Sequence, residues 1–149
     1  QPSDPDPLNL ASIRAWIESD GAAHANLRAP LAINASDIVL PVSEADAVLC
    51  INVLHIAPWD ATEGLMRIAG RLLPPAGILY LYGPYRVGGA HTAPSNEDFD
   101  RQLRSRNPSW GVRDLEAVEA EAGRNGLTLI ETVAMPANNL SVLFRRTGG

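Results

Sequence analysis

The chain has 149 residues, 46% of them hydrophobic and 19% charged, which predicts a single domain over 1–149 built around one sizeable core. A formal net charge of −5 gives no overall attraction to nucleic acid phosphates or anionic lipid. No apolar run reaches the roughly 20 residues of a membrane helix, and the start lacks the basic-then-apolar layout of a signal peptide, so a cytoplasmic protein without membrane partners is expected.

In chain order, QPSDPDP carries turn chemistry, and a helix follows, with Asp6 as N-cap, Pro7 in the first helical position and Gly21 as a stop. Leu10, Ile13 and Ile17 share one face of it. The apolar segment 29–35 reads as a short strand. Residues 47–54, AVLCINVL, are apolar on both parities except at Asn52, the pattern of a strand covered on both faces in a parallel sheet. Cys50, the only cysteine, excludes an intramolecular disulfide and sits there as a small buried hydrophobe.

Asp60 resembles a cap, with Glu63 three residues on, and Leu65, Ile68, Ala69, Leu72 and Leu73 form the apolar stripe of a helix that PPAG ends. Residues 78–82, ILYLY, read as a second buried strand, which makes a parallel strand–helix–strand unit. Residues 83–113 are rich in Gly, Pro, Ser and charge and predict a long excursion with a short helix near DFDRQLRSR. Asp114 then caps a helix closed by Gly126, and residues 127–136 and 140–146 form strands joined through ANN as a hairpin. The order is that of an open α/β sheet with a terminal hairpin. Such sheets bind ligands outside the carboxyl ends of their strands, which places a ligand near Asn52 to Trp59.

The stretches DAVLCINVLHIAPWDATEGLMRIAGRLLPPAGILYLYGPYR, SNEDFDRQLRSRNPSWGVRDLE and MPANNLSVLFRR, in this order and spacing, resemble the methyltransferase-like 26 group of S-adenosylmethionine-dependent methyltransferase homologues. The resemblance runs over nearly the whole chain. It implies a Rossmann-like class I methyltransferase sheet, mostly parallel with a C-terminal antiparallel hairpin, and S-adenosylmethionine as cofactor. Members of such families begin with a strand, a Gly-rich loop and a helix placed before QPSD, and no such loop is found in these residues. The expectation is therefore an incomplete sheet that holds the cofactor weakly or not at all.

Carried over residue by residue, the resemblance makes Asp4 the acceptor for the ribose hydroxyls, Asn34 the partner of the adenine amino group and Asn52 a neighbour of the methionine moiety. A solvated turn is the alternative for Asp4 and Asn34. His55 is a candidate general base, because its ordinary pKa lies near neutral pH; a His bonded to backbone is the competing reading. Trp59, Tyr82, Tyr85 and Arg104 are candidate contacts to a small-molecule acceptor, with Arg101, Arg106, Arg113 and Trp110 near the last of them. Asp98, Asp100 and Asp114 lie among these arginines, so a salt-bridged surface competes with an anion site. His24 and His91 have no metal-ligand spacing, and no metal site is expected. Besides a methyltransferase, a non-catalytic module that pairs with a second copy through an open sheet edge and a nicotinamide-dependent oxidoreductase are consistent with the pattern, although the terminal hairpin argues against the last.

Overall fold

The computed structural model describes residues 1–20, 26–37 and 39–148, which form two compact units, 1–41 and 42–149. In the first, strand β1 (Ser3–Asp4) pairs in parallel with β2 (Leu31–Ala32), Asp4 opposite Ala32. The strand expected over 29–35 is thus only two residues long. Helix α1 (Pro7–Asp20) starts where expected: Asp6 Oδ1 accepts the Leu8 N–H at 2.8 Å, satisfying one of the free amides of the first turn. Leu10 is buried, with Ile13 and Ile17 half-buried on the same face. Gly21 and His24 lie outside the described residues.

The second unit is built on a four-stranded sheet in the order β3 (Ala47–Ile51), β4 (Ile78–Gly83), β9 (Asn139–Arg146), β8 (Leu127–Met135). Strands β3 and β4 are parallel and are linked through α2 (Trp59–Leu72); β9 is antiparallel to both β4 and β8, so the terminal hairpin is present. The excursion is more regular than its composition predicts. It contains a small sheet in the order β6 (Ala90–His91), β5 (Tyr85–Val87), β7 (Arg113–Asp114), and a 13-residue helix α3 (Pro94–Arg106) in place of the short one expected. Helix α4 (Leu115–Arg124) follows, and Gly126, at φ +70°, ends it in the left-handed conformation that glycine adopts without strain. Among the described residues no helix is long and apolar enough to cross a membrane.

The core lies on one face of the larger sheet. Leu79 and Leu81 of β4 and Val142 and Phe144 of β9 pack with Met66 and Ala69 of α2 and Val118 and Ala122 of α4, all fully buried. Each of the larger of these side chains contributes about 1.5–3 kcal/mol by leaving water, before the entropy of ordering it is subtracted, and the two alanines allow the helices to approach the sheet closely.

Strand β3 is not covered on both faces: Cys50 is buried, but Leu49 and Ile51 are 67% and 56% exposed, because the packed helices lie on the Cys50 side. An apolar run on both parities records what a strand tolerates, whereas exposure depends on what packs against it. Helix α2 is capped at Pro58 rather than Asp60, without a side-chain bond; Asp60 falls in the first turn, where its charge still suits the helix dipole.

Candidate functional site

Strand β3 stops at Ile51. Asn52 turns into the left-handed region (φ 61°, ψ −6°), which asparagine tolerates better than most side chains, while its N–H still reaches the Tyr82 carbonyl at 2.8 Å. Asn52 is therefore an exposed exit residue and not part of an apolar strand. A single 3-10 turn (Val53–His55) follows and drives His55 back into the protein.

His55 is 1% exposed and meets the Tyr85 ring edge to face at 5.1 Å between centroids. Its carbonyl accepts the Gly111 N–H at 2.9 Å, yet neither ring nitrogen has a hydrogen-bond partner. Burial, followed by the positive charge of Arg113, lowers its pKa to about 4, so the ring is neutral at pH 7. Burial also pushes the Cys50 thiol up to about 11, keeping it protonated and inert, as expected of a packed small hydrophobe. Tyr85, raised by the same cause, is a core residue.

Arg113 fastens this turn to the excursion. Its Nε donates to the Leu54 carbonyl at 2.9 Å, and one terminal nitrogen donates to Ala57 at 2.6 Å and Ser109 at 2.9 Å, while the guanidinium lies 5.8 Å over the Trp59 ring. Nearby, buried Asp100 accepts the Val112 N–H at 2.7 Å and Arg104 Nε at 3.0 Å. Burial alone would raise this carboxyl, but the Arg104 and Val112 hydrogen bonds hold it below the ordinary carboxylate range. Arg101 pairs with Glu97 and Asp98 on the exposed side of α3, so part of the arginine cluster is a salt-bridged surface.

Two cavities flank this region. The larger, about 540 Å³, opens beyond the carboxyl ends of β3 and β4, bordered by Asn52, Pro84, Asn96, Phe99, Asn138 and Asn139. Its far wall is tied in place: Asn96 Nδ2 donates to the Asn138 carbonyl at 2.9 Å, Asn138 Nδ2 to Ser95 Oγ at 3.0 Å, and Asn139 Nδ2 to the Tyr82 hydroxyl at 3.2 Å. The smaller, about 270 Å³, holds Trp59, Arg86, Arg104, Arg113 and Asp114.

The candidates from sequence are thus divided. Asn52 borders one cavity and Trp59 and Arg104 the other, whereas His55, Tyr82 and Tyr85 line neither. In the first unit, Asp4 is the last residue of β1 and Asn34 lies two residues past β2, at the same end of this parallel pair. Asp4 Oδ1 accepts from Asp6 N at 2.8 Å and Asn9 Nδ2 at 3.1 Å, and Asn34 Oδ1 accepts from Ser36 N at 3.0 Å in an Asx turn. Asn96, Phe99 and Arg86 were not singled out from sequence. A signal for α3 does exist: Asn96, Asp100 and Leu103 are buried at helical spacing, a polar inner face that an apolar stripe search passes over.

A model of the family described as "Protein of unknown function (DUF938)" matches residues 1–146. The chain belongs to the DUF938 family. Among solved structures, an O-methyltransferase family protein from Burkholderia thailandensis aligns with a TM-score of 0.80 at 15% identity, covering 96% of the DUF938 chain and 42% of that protein. An O-methyltransferase family 2 protein from Planctomyces limnophilus, in complex with apigenin, gives 0.76 at 20% identity over 97% and 41%. Human N-acetylserotonin methyltransferase in complex with S-adenosylmethionine gives 0.66 at 14% identity over 85% and 37%. The DUF938 chain thus has the class I methyltransferase fold and spans about two fifths of the length of these structures.

Proposed function

We propose that this DUF938 chain is part of an S-adenosylmethionine-dependent methyltransferase of the methyltransferase-like 26 kind, acting on a small-molecule acceptor. The observation that carries this reading is the cavity beyond the carboxyl ends of β3 and β4, where a sheet of this class binds ligands. Its bordering side chains are amides, the Ser95 hydroxyl, an aromatic ring and aliphatic groups without a formal charge, which suits an uncharged acceptor held by hydrogen bonds and ring contact.

When bound, S-adenosylmethionine supplies an electrophilic methyl group on a sulfonium. The residues fit what the rest of that molecule needs. Asp4 has one oxygen engaged by its own turn, which leaves the other for the ribose hydroxyls, and the Asn34 carbonyl keeps a second lone pair for the adenine amino group. In the second unit, Asn52 faces the acceptor cavity and is proposed to orient the methionine end. His55 is proposed as the proton acceptor. It is neutral at pH 7, and a buried polar atom without a partner calls for a ligand or a water. Orienting acceptor and methyl group in line supplies most of the rate in such a reaction.

Calorimetric titration with S-adenosylmethionine tests this reading, run on the 149-residue chain and on a form extended at its N-terminus by a methyltransferase-type strand, Gly-rich loop and helix. Binding is expected to be tight in the extended form and weak in the shorter one. Asp4→Asn should weaken the extended form about tenfold, the scale of one lost charge-assisted hydrogen bond. Absence of heat in both forms overturns the proposal.

A second reading rests on the outer edge of β3, which has no strand partner among the described residues and carries exposed Leu49 and Ile51. We propose that two copies of the 149-residue chain pair along this edge. Sedimentation velocity should then show a dimer that Leu49→Lys with Ile51→Lys returns to monomer; a monomeric wild type at all concentrations rejects the pairing.

A further inference from the structure

The smaller cavity lies apart from the proposed acceptor site in what borders it. No residue named for the larger cavity borders it, and its lining is dominated by three arginines. Their charges are only partly matched. Arg86 Nε lies 3.4 Å from Asp114 Oδ1, and Arg104 Nε is bonded to Asp100 at 3.0 Å, so two guanidinium groups have one carboxylate each. Arg113 has none. Its hydrogen bonds all go to backbone carbonyls, those of Leu54, Ala57 and Ser109, which engage Nε and one terminal nitrogen without cancelling the charge and leave the other terminal nitrogen for a ligand.

The arrangement therefore holds a net positive recess with an aromatic wall. The Arg104 bond to Asp100 uses Nε and leaves both terminal nitrogens available for a second acceptor. Two further features agree with this. Burial and then the charge of Arg104 depress Arg113, outweighing the opposing pull of the Asp100 carboxylate, as like charges held close in a half-buried place would. Gly111 also allows the close approach: a Cβ there would lie 2.6 Å from Asp100 Oδ1 and 2.7 Å from an Arg104 terminal nitrogen.

We propose that the recess between Trp59, Arg86, Arg104 and Arg113 is a binding site for a compact oxyanion, a phosphate or carboxylate group on a small molecule. Forked guanidinium donors match both groups. A volume of about 270 Å³ accommodates such a head group and is below the usual range for a whole drug-sized ligand. The site does not depend on the methyl-transfer reading, since none of its residues is assigned to the cofactor or to proton transfer there.

The test is an NMR titration of the 149-residue chain with sodium phosphate and, separately, sodium acetate, each against sodium chloride at equal ionic strength. The Trp59 indole N–H and the Nε–H of Arg86, Arg104 and Arg113 are followed. Saturable shifts at these four groups are expected with at least one of the two oxyanions, and the stronger binder identifies the class of group. Ala117, exposed on α4 at the edge of the recess, permits a variant that leaves every arginine in place. Ala117→Glu should weaken binding by about tenfold through its charge, while Ala117→Gln, of equal size, should leave it nearly unchanged. Both are good helix formers, and unchanged resonances elsewhere verify the fold. Shifts that follow ionic strength without saturating, or that respond equally to both variants, overturn the proposal.

Discussion

Acidification from pH 7 to about pH 4 is expected to remove about 3 kcal/mol of stability through one side chain, His55. The ring is 1% exposed and titrates near 4 in the folded protein, against 6.5 for the free side chain. Between those values the unfolded chain takes up a proton that the folded chain refuses. Stability therefore falls as pH drops below about 6.5 and flattens, for this group, once pH passes about 4. Urea denaturation at intervals across this range checks it, with His55→Gln as the comparison. The variant should lose most of the slope; an unchanged slope assigns the acid sensitivity to other groups. The same desolvation keeps the ring unprotonated at pH 7 and makes it a weak base, so the proposed role as proton acceptor requires a bound acceptor or a water to reach its unpartnered ring nitrogens and raise its basicity.

Gly83→Ala should cost about 2–3 kcal/mol, the scale of forcing a methyl group into a filled core. Gly83 ends β4 directly against the exit turn of β3. A Cβ there would overlap His55 Nε2 and lie 2.8 Å from Cδ2 of the same ring and 3.1 Å from Asn52 Oδ1. The ring cannot retreat freely, because it is fully buried and already in edge contact with Tyr85. The conflict is between two side chains, so a double-mutant cycle separates it from a backbone effect. Gly83→Ala placed in a His55→Ala background should cost much less than in the wild type, and additive costs would show that the ring is not the obstacle. Asn52 borders the larger cavity, so the same substitution should also disturb any ligand bound there.

The parts of the fold that were legible in the sequence are those with a strong local pattern. Apolar runs separated by a helical stripe and PPAG mark β3, α2 and β4, and ANN between two strands marks the hairpin. Helix α3 was underestimated because its average composition is polar and its inner face presents Asn96 and Asp100, which are buried only because the hairpin turn, Val112 and Arg104 supply their partners. Arg104 is one helical turn from Asp100, but Val112 lies beyond the end of α3 and the hairpin turn is far along the chain, so no local window contains the whole set. The exit of β3 was legible as a place but not as a shape: Asn52 stood out by type, while its left-handed backbone and the inward turn of His55 follow from the Tyr82 and Gly111 contacts. The two cavities were the least legible, since each is bordered by residues of several elements that meet only in three dimensions.

The guanidinium of Arg113 bears on the order in which the molecule assembles. Its bonds to Leu54 and Ala57 close loops of 59 and 56 residues. Contacts of such long range cost considerable chain entropy and become favourable only after the strands between them have paired. The β4–β9 ladder closes loops of the same range, Gly83 opposite Leu140 and Ile78 opposite Arg145, but it is held by many pairs and a buried apolar face, whereas the walls around Trp59 hang on the bonds of one side chain; on gentle warming, amide exchange should therefore register the opening of the arginine recess before that of the sheet.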